Sequence, residues 1–375
     1  MRLTSQESNP LTSSFRGQLK PIVGVKQLRQ ENLYENSTIP YQEDRLRLEA
    51  TLTKGWFYAE VADETLYRIE RKNAAFLPFA FTESEPFWNA EWKIEERDNS
   101  LLKTRLDRAY IQASFEPVEI RIGKQVIPIG VGHLFSTVSQ TRRYAFTDVD
   151  PEYDRTEDAV TVLWKKGVRL DARYLPRDKG KERDNFHLRW LFDFEGADAV
   201  LGAGQTDGKH FVSLEGSRGV GDAVLRFEAI LYENADRYQG QSLLGWDEVW
   251  NSKVSTKTEI FYNGFGKDQT TTLEGFPHRS SNYRGKFYFG NLIQYEWTPR
   301  LKVNFLTIAN LNDPSLLLHL YFNYSLSDNL DLILGHYQNW GGTPSSEFGG
   351  KMDVPFTLAK VGLPDLSYAL VRWAF

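Results

Sequence analysis

Asp365-Leu-Ser-Tyr-Ala-Leu-Val-Arg-Trp-Ala-Phe375, at the C-terminal end, decides how this chain is read. Side chains on a strand alternate between two faces, so Phe375, Trp373, Val371 and Ala369 share one and Arg372 and Tyr368 the other. Leu370 interrupts the polar face. A strand ending on an aromatic suits the closing strand of a transmembrane β-barrel. Its apolar face meets lipid, its polar face meets the lumen, and pairing with the first strand removes the sheet edge. Phe375, Trp373 and Val371 then form the lipid-facing row expected to act as the assembly signal. The competing reading is the edge strand of a soluble β-sandwich, and the rest of the chain separates the two.

The same alternation recurs along the sequence. Leu46, Leu48, Ala50 and Leu52 alternate with Arg45, Arg47, Glu49 and Thr51. Ala109, Ile111, Ala113 and Phe115 oppose Arg108, Tyr110, Gln112 and Ser114. Val168, Leu170, Ala172 and Tyr174 oppose Arg169, Asp171 and Arg173, and Phe186, Leu188, Trp190, Phe192 and Phe194 oppose His187, Arg189, Leu191 and Asp193. Ala223, Leu225, Phe227, Ala229 and Leu231 oppose Val224, Arg226, Glu228 and Ile230; Phe287, Phe289, Ile293, Tyr295 and Trp297 oppose Arg284, Lys286, Tyr288, Gln294 and Glu296. Strands of about ten residues in such number suit a membrane barrel better than a sandwich.

Composition agrees. The 375 residues include 24 Phe, 18 Tyr and 10 Trp but no cysteine, at a mean hydropathy of −0.47. No run of about 18 apolar residues occurs, so no transmembrane helix is available. Met1 to Gln18 is polar and lacks the apolar core of a secretory signal; Met1 is read as the start of a mature or recombinant chain. The net charge of −5 argues against a nucleic-acid partner.

Tight turns alternate with long polar stretches. Turn residues punctuate the chain at Thr53-Lys54-Gly55, Glu116-Pro117-Val118, Lys166-Gly167, Glu195-Gly196, Ser217 to Gly221, Thr298-Pro299-Arg300 and Ser327-Asp328-Asn329. Long stretches fall near 70–101, 128–157, 232–244, 266–282 and 341–364. Short turns on one side and long loops on the other are the organisation of an outer-membrane barrel. The expectation is one all-β domain: a polar lead over 1–13, then an antiparallel up-and-down barrel over 14–375. Strand parity gives 18 strands if 244–265 forms a pair and 16 if it is loop. Ile260 and Tyr262 opposing Glu259 and Asn263 favour 18.

With the apolar faces on lipid, Arg45, Arg47, Arg108, Arg121, Arg169, Arg173, Arg189 and Arg226 point into the lumen. Guanidinium forks suit carboxylate, sulfate and phosphate groups, so a ring of them would filter anions. The bland alternative is that they pair with Glu49, Glu119, Asp171, Asp193, Glu228 and Glu259 across neighbouring strands. The stretch 128–157 is the expected inward-folding constriction, bringing Arg142 and Arg143 to the pore. Its acids Asp148, Asp150, Glu152 and Asp154 are a weak calcium candidate, because no Asp-x-Asp-x-Asp-Gly pattern completes them. No cofactor is expected.

Catalytic motifs are absent: there is no Gly-x-Ser-x-Gly, His-x-x-x-His, phosphate loop or dinucleotide fingerprint. The chain is therefore read as no enzyme. A lipid hydrolase in this setting would require a lipid-facing Ser and His side by side at one level. His336 falls on the apolar phase of 330–336 and is the residue to follow, with a structural role near the membrane boundary the expectation.

Ile120-Arg-Ile-Gly-Lys-Gln-Val-Ile-Pro-Ile-Gly-Val-Gly-His-Leu-Phe-Ser136 and Asp154-Arg-Thr-Glu-Asp-Ala-Val160 resemble segments of alginate-export-type outer-membrane channels and related porins. So do Glu296-Trp-Thr-Pro-Arg-Leu301, Asn310-Leu-Asn-Asp-Pro-Ser315 and Tyr324-Ser-Leu-Ser-Asp-Asn-Leu330. Ile129-Gly130 departs from the Trp-Gly common in such proteins. The resemblance implies an 18-stranded barrel, a basic lumen and passage of an anionic or polyhydroxylated solute. The expected partners are outer-membrane lipid, the barrel assembly machinery and a small anionic or saccharide solute. The alternative function is a structural barrel that sheathes or anchors a partner protein, with an outer-membrane lipid hydrolase as a third, less favoured reading.

Overall fold

The computed structural model describes residues 10–27, 30–31, 38–70, 87–88, 90–127, 129–138, 156–177, 184–234, 237–267, 283–313, 315–341, 347–348, 352–353, 360–361 and 365–375. Among them, one antiparallel sheet of 19 strands dominates, and 18 of these strands close on themselves as a barrel. In chain order the barrel strands are β1 (Thr12–Gln27), β2 (Thr38–Lys54), β3 (Phe57–Glu70), β4 (Ser100–Phe115), β5 (Val118–Val126) and β6 (Thr156–Trp164). They continue as β7 (Arg169–Leu175), β8 (Asn185–Phe194), β9 (Ala197–Thr206), β10 (Lys209–Val220), β11 (Ala223–Asn234) and β12 (Arg237–Asn251). The last six are β13 (Val254–Asn263), β14 (Phe287–Thr298), β15 (Leu301–Asn310), β16 (Ser315–Ser327), β17 (Leu330–Gly341) and β18 (Asp365–Ala374). Each strand pairs with its sequence neighbours, and β1 pairs with β18 to remove the last edge.

Alternation puts the apolar rows outside. Leu201 on β9 is 47% exposed, whereas Glu228 on β11 is 0% exposed. This inversion of the soluble pattern fits a barrel whose exterior faces hydrocarbon. Two-residue turns with both residues at positive φ join several strands. Glu195 (φ 51) and Gly196 (φ 75) link β8 to β9, and Asp207 (φ 48) and Gly208 (φ 74) link β9 to β10. Such turns twist in the same sense as the strands they connect.

Three features differ from the sequence reading. Residues 237–244, read within a long polar loop, continue the barrel wall as the first half of β12. There Tyr238, Leu244 and Trp246 are exposed and Gln241 and Leu243 are buried; the inward polar residues of a wall strand imitate loop composition. The opposite connection Asp207-Gly208 is tight, so long and short links do not segregate strictly. And a bulge where Ala62 and Asp63 of β3 meet Leu106 and Arg108 of β4 leaves Asp107 buried beside the inward Arg108.

The 19th strand of the sheet, Glu91–Glu96, repairs the wall. Residues 109–115 of β4 pair with β5, and 101–105 of β4 pair with the short strand, which takes over where β5 ends. The chain after β5 has left the wall for the interior.

Inside, one side of the barrel is aromatic and aliphatic. Ile22, Phe261, Tyr288, Leu317, Ile333, Tyr337, Tyr368 and Leu370 form a buried cluster, joined by Phe135 and Phe348 from the connections after β5 and β17. Leu370 interrupts the polar phase of β18 because its neighbours in the interior are these apolar groups.

Candidate functional site: the charged inner wall and the segment clamped to it

The inner wall from β2 to β13 carries a run of charged side chains set between buried apolar groups such as Tyr41, Ile230 and Leu243. Inward positions two residues apart on one strand, and opposite positions on the next, place each guanidinium beside a carboxylate. Arg45 donates to Glu43, which also accepts from Arg68. Arg47 bonds Asp107 and lies 3.6 Å from Glu49. Arg108 donates to Glu60 at 2.8 Å. Arg121 donates to Gln112 at 2.8 Å, and its guanidinium carbon lies 4.9 Å from the centroid of the Tyr110 ring. Arg173 donates to Asp171 at 2.9 Å, Arg189 to Glu215 at 2.9 Å, and Arg226 to Glu259 at 2.7 Å. Arg169 sits exposed at the turn end of β7. Arg142, Arg143, Asp148, Asp150, Glu152 and Asp154 lie outside the described residues.

The guanidiniums therefore form a row, but each of these seven has a resident partner. Pairing of this kind offsets much of the cost of desolvating the charges.

Three carboxylates on this wall also hold backbone amide groups. Glu228 accepts the backbone N–H of Val131, of Gly132 at 2.6 Å and of Thr137 at 2.8 Å, with the Thr137 hydroxyl at 3.0 Å. Glu259 accepts those of His133 at 2.6 Å, Leu134 at 2.9 Å and Phe135 at 2.8 Å. Glu215 takes Gly130 N–H at 3.0 Å. Arg226 adds a bond to the Val131 carbonyl at 2.6 Å. Residues 130–137 are thus held against the inner wall by their own amide groups, with the clamp residues contributed by β10, β11 and β13.

Glycine permits this fold-back. Gly130 has φ 91, and a Cβ there would stand 2.5 Å from Glu228 Oε1. Phe135 then reaches across to stack on Phe261, with ring centroids 5.3 Å apart. His133 Nε2 sits 3.0 Å from Asp247 Oδ2. Burial, reinforced by the nearby Arg226 and Lys257 charges, pushes its imidazole pKa down.

Sequence reasoning put Glu228 and Glu259 on the lumen side but not in this role, and Glu215 was not singled out. The amide groups they hold belong to residues 85 to 126 positions away, so no local pattern announces the clamp. The closely spaced glycines of Gly130-Val131-Gly132 are the available signal for close backbone approach.

No protein-family model matches the chain, and no curated protein does. Solved structures do match in fold. The outer membrane protein opdK from Pseudomonas aeruginosa superposes with a TM-score of 0.54 at 13% identity, covering 97% of this chain and 98% of that one. OccAB3 of Acinetobacter baumannii gives 0.55 at 11% identity, covering 97% and 99%. Pseudomonas aeruginosa OpdK solved with vanillate gives 0.52 at 13%, covering 96% and 98%. The chain has the 18-stranded barrel architecture of these outer-membrane proteins over essentially its whole length.

Proposed function

We propose that this chain is a passive outer-membrane channel for a small anionic or saccharide solute. The observation that carries the reading is the row of inward guanidiniums, Arg45, Arg47, Arg108, Arg121, Arg173, Arg189 and Arg226, on one side of a closed barrel. The apolar exterior supports insertion in lipid, and β-barrels without an open edge span a bilayer at no cost in unsatisfied backbone. Because each guanidinium already has a carboxylate or amide partner, a passing anion exchanges for a resident bond and leaves again. That suits conduction, which needs weak, repeated binding. In this reading the clamped residues 130–137, held against the inner wall, narrow the passage. Among porins, the motif stretches at 120–136 and 296–330 favour an alginate-export-type relative.

The purified barrel in a planar bilayer tests this. Stepwise conductance with a reversal potential on the anion side of a salt gradient is expected, together with liposome swelling in organic acids and sugars. A barrel that inserts but does not conduct would remove the channel reading; a cation-side reversal would remove the anion assignment.

A further inference from the structure

We infer that the outer surface of the barrel carries an acyl-ester hydrolase site for glycerophospholipid, with Ser367 as nucleophile and His336 as its base. The two residues are directly paired across the β17–β18 ladder, and Ser367 Oγ lies 2.8 Å from His336 Nδ1. Both are exposed. Both belong to the outward phase: His336 pairs with the exposed Leu320 of β16, and Ser367 pairs with the exposed Val25 of β1. Leu334, two residues before His336, is exposed as well. The Ser–His pair therefore sits among aliphatic side chains on the surface that acyl chains cover.

The hydrogen bonds fix the direction of proton transfer. The Asp365 carboxylate is anchored by the Asn339 backbone N–H at 2.8 Å and accepts from Gln338 Nε2 at 3.1 Å. With its amide nitrogen so engaged, Gln338 presents Oε1 to His336 Nε2, at 3.3 Å. An amide oxygen only accepts, so the imidazole proton resides on Nε2 and the lone pair on Nδ1. Ser367 O–H then donates to Nδ1. Asp365 and Gln338 are positioning residues that set this tautomer, as the third member of a nucleophile–base–orienter series does elsewhere.

The chemistry balances with water as co-substrate. Ser367 Oγ bonds to the acyl carbonyl carbon while its proton passes to His336 Nδ1. The bond from that carbon to the glycerol oxygen breaks, and the glycerol oxygen takes the proton, releasing the lysolipid. Water then attacks the acyl-serine, giving its proton to Nδ1; the carbon–Oγ bond breaks, Ser367 recovers a proton, and a fatty acid leaves.

The test uses the purified full-length barrel in mixed micelles of detergent and phosphatidylethanolamine labelled on its acyl chains. Expected results are fatty-acid release lowered at least ~100-fold by Ser367→Ala and by His336→Asn, and a fluorophosphonate adduct on Ser367 of the wild-type protein. Gln338→Leu should lower kcat with KM retained. Heat-modifiable migration identifies the folded variants, and adduct mapping on the wild-type barrel needs no variant at all. Release by the wild type no faster than by folded Ser367→Ala, or the lack of an adduct at Ser367, would overturn the assignment. Either result is independent of conductance.

Discussion

The Phe375 ring occupies the space that a side chain at Gly17 would need: a Cβ on Gly17 would lie 2.1 Å from Phe375 Cε2. The two residues also exchange backbone bonds, Gly17 N–H to Phe375 O at 2.8 Å and Phe375 N–H to Gly17 O at 2.9 Å. The first and last strands thus close by a ring seated over a glycine. Gly17→Val should weaken closure by about 1–3 kcal/mol through overpacking, and Phe375→Ser should impair insertion. Both are read from the fraction of heat-modifiable barrel recovered in membranes. Wild-type recovery for both would show that the seam needs neither.

The clamp makes a second prediction. Glu228→Gln replaces one acceptor oxygen with a donor facing backbone N–H groups, and Glu259→Gln does the same beside Arg226. Each lost bond to a buried charged acceptor costs about 1.5–3 kcal/mol. Residues 130–137 should then detach while the wall persists. A spin label at Ser136 should become mobile in the double variant, and single-channel current should fluctuate more. An immobile label would mean that Phe135 packing alone holds the segment.

The arginine row makes the third. Replacing Arg47, Arg121 and Arg173 together by Gln should lower the anion-to-cation permeability ratio in a barrel that stays folded. An unchanged reversal potential would reduce these groups to interior pairing charge.

Acidification supplies a fourth. His133 has a folded pKa below its ordinary value, so the folded state binds fewer protons than the unfolded state. Its neutral form is present at neutral pH. Stability is lost as pH falls below the ordinary imidazole range and continues to fall until the depressed folded pKa is passed. The urea midpoint of the wild type should therefore drop on acidification over that window more than that of His133→Asn. Parallel curves would place the titration elsewhere.

Orientation is the fifth. A protease site engineered within 341–364 should be cut on intact cells, whereas one at Thr298, in the tight turn between β14 and β15, should be protected. The reverse pattern would invert the barrel.

The sequence by itself determined the architecture. Period-two rows such as Leu46-Leu48-Ala50 and Phe287-Phe289 set which face meets lipid, and turn pairs such as Glu195-Gly196 set where strands reverse; both signals are local. It also set the inward phase of Arg47, Arg173 and Glu228, because a strand has only two faces. Tertiary structure alone decided what those side chains meet. The bulge at Ala62–Asp63 turned Asp107 toward Arg47. Closure of the sheet brought Glu228 and Glu259 to amide groups of 131–137, and set Phe375 on Gly17. It also paired Ser367 with His336 across β17 and β18, through a register fixed by the whole barrel rather than by either strand. Contacts between residues far apart in the chain depend on how many strands close and with what stagger, and no short stretch of sequence encodes that number.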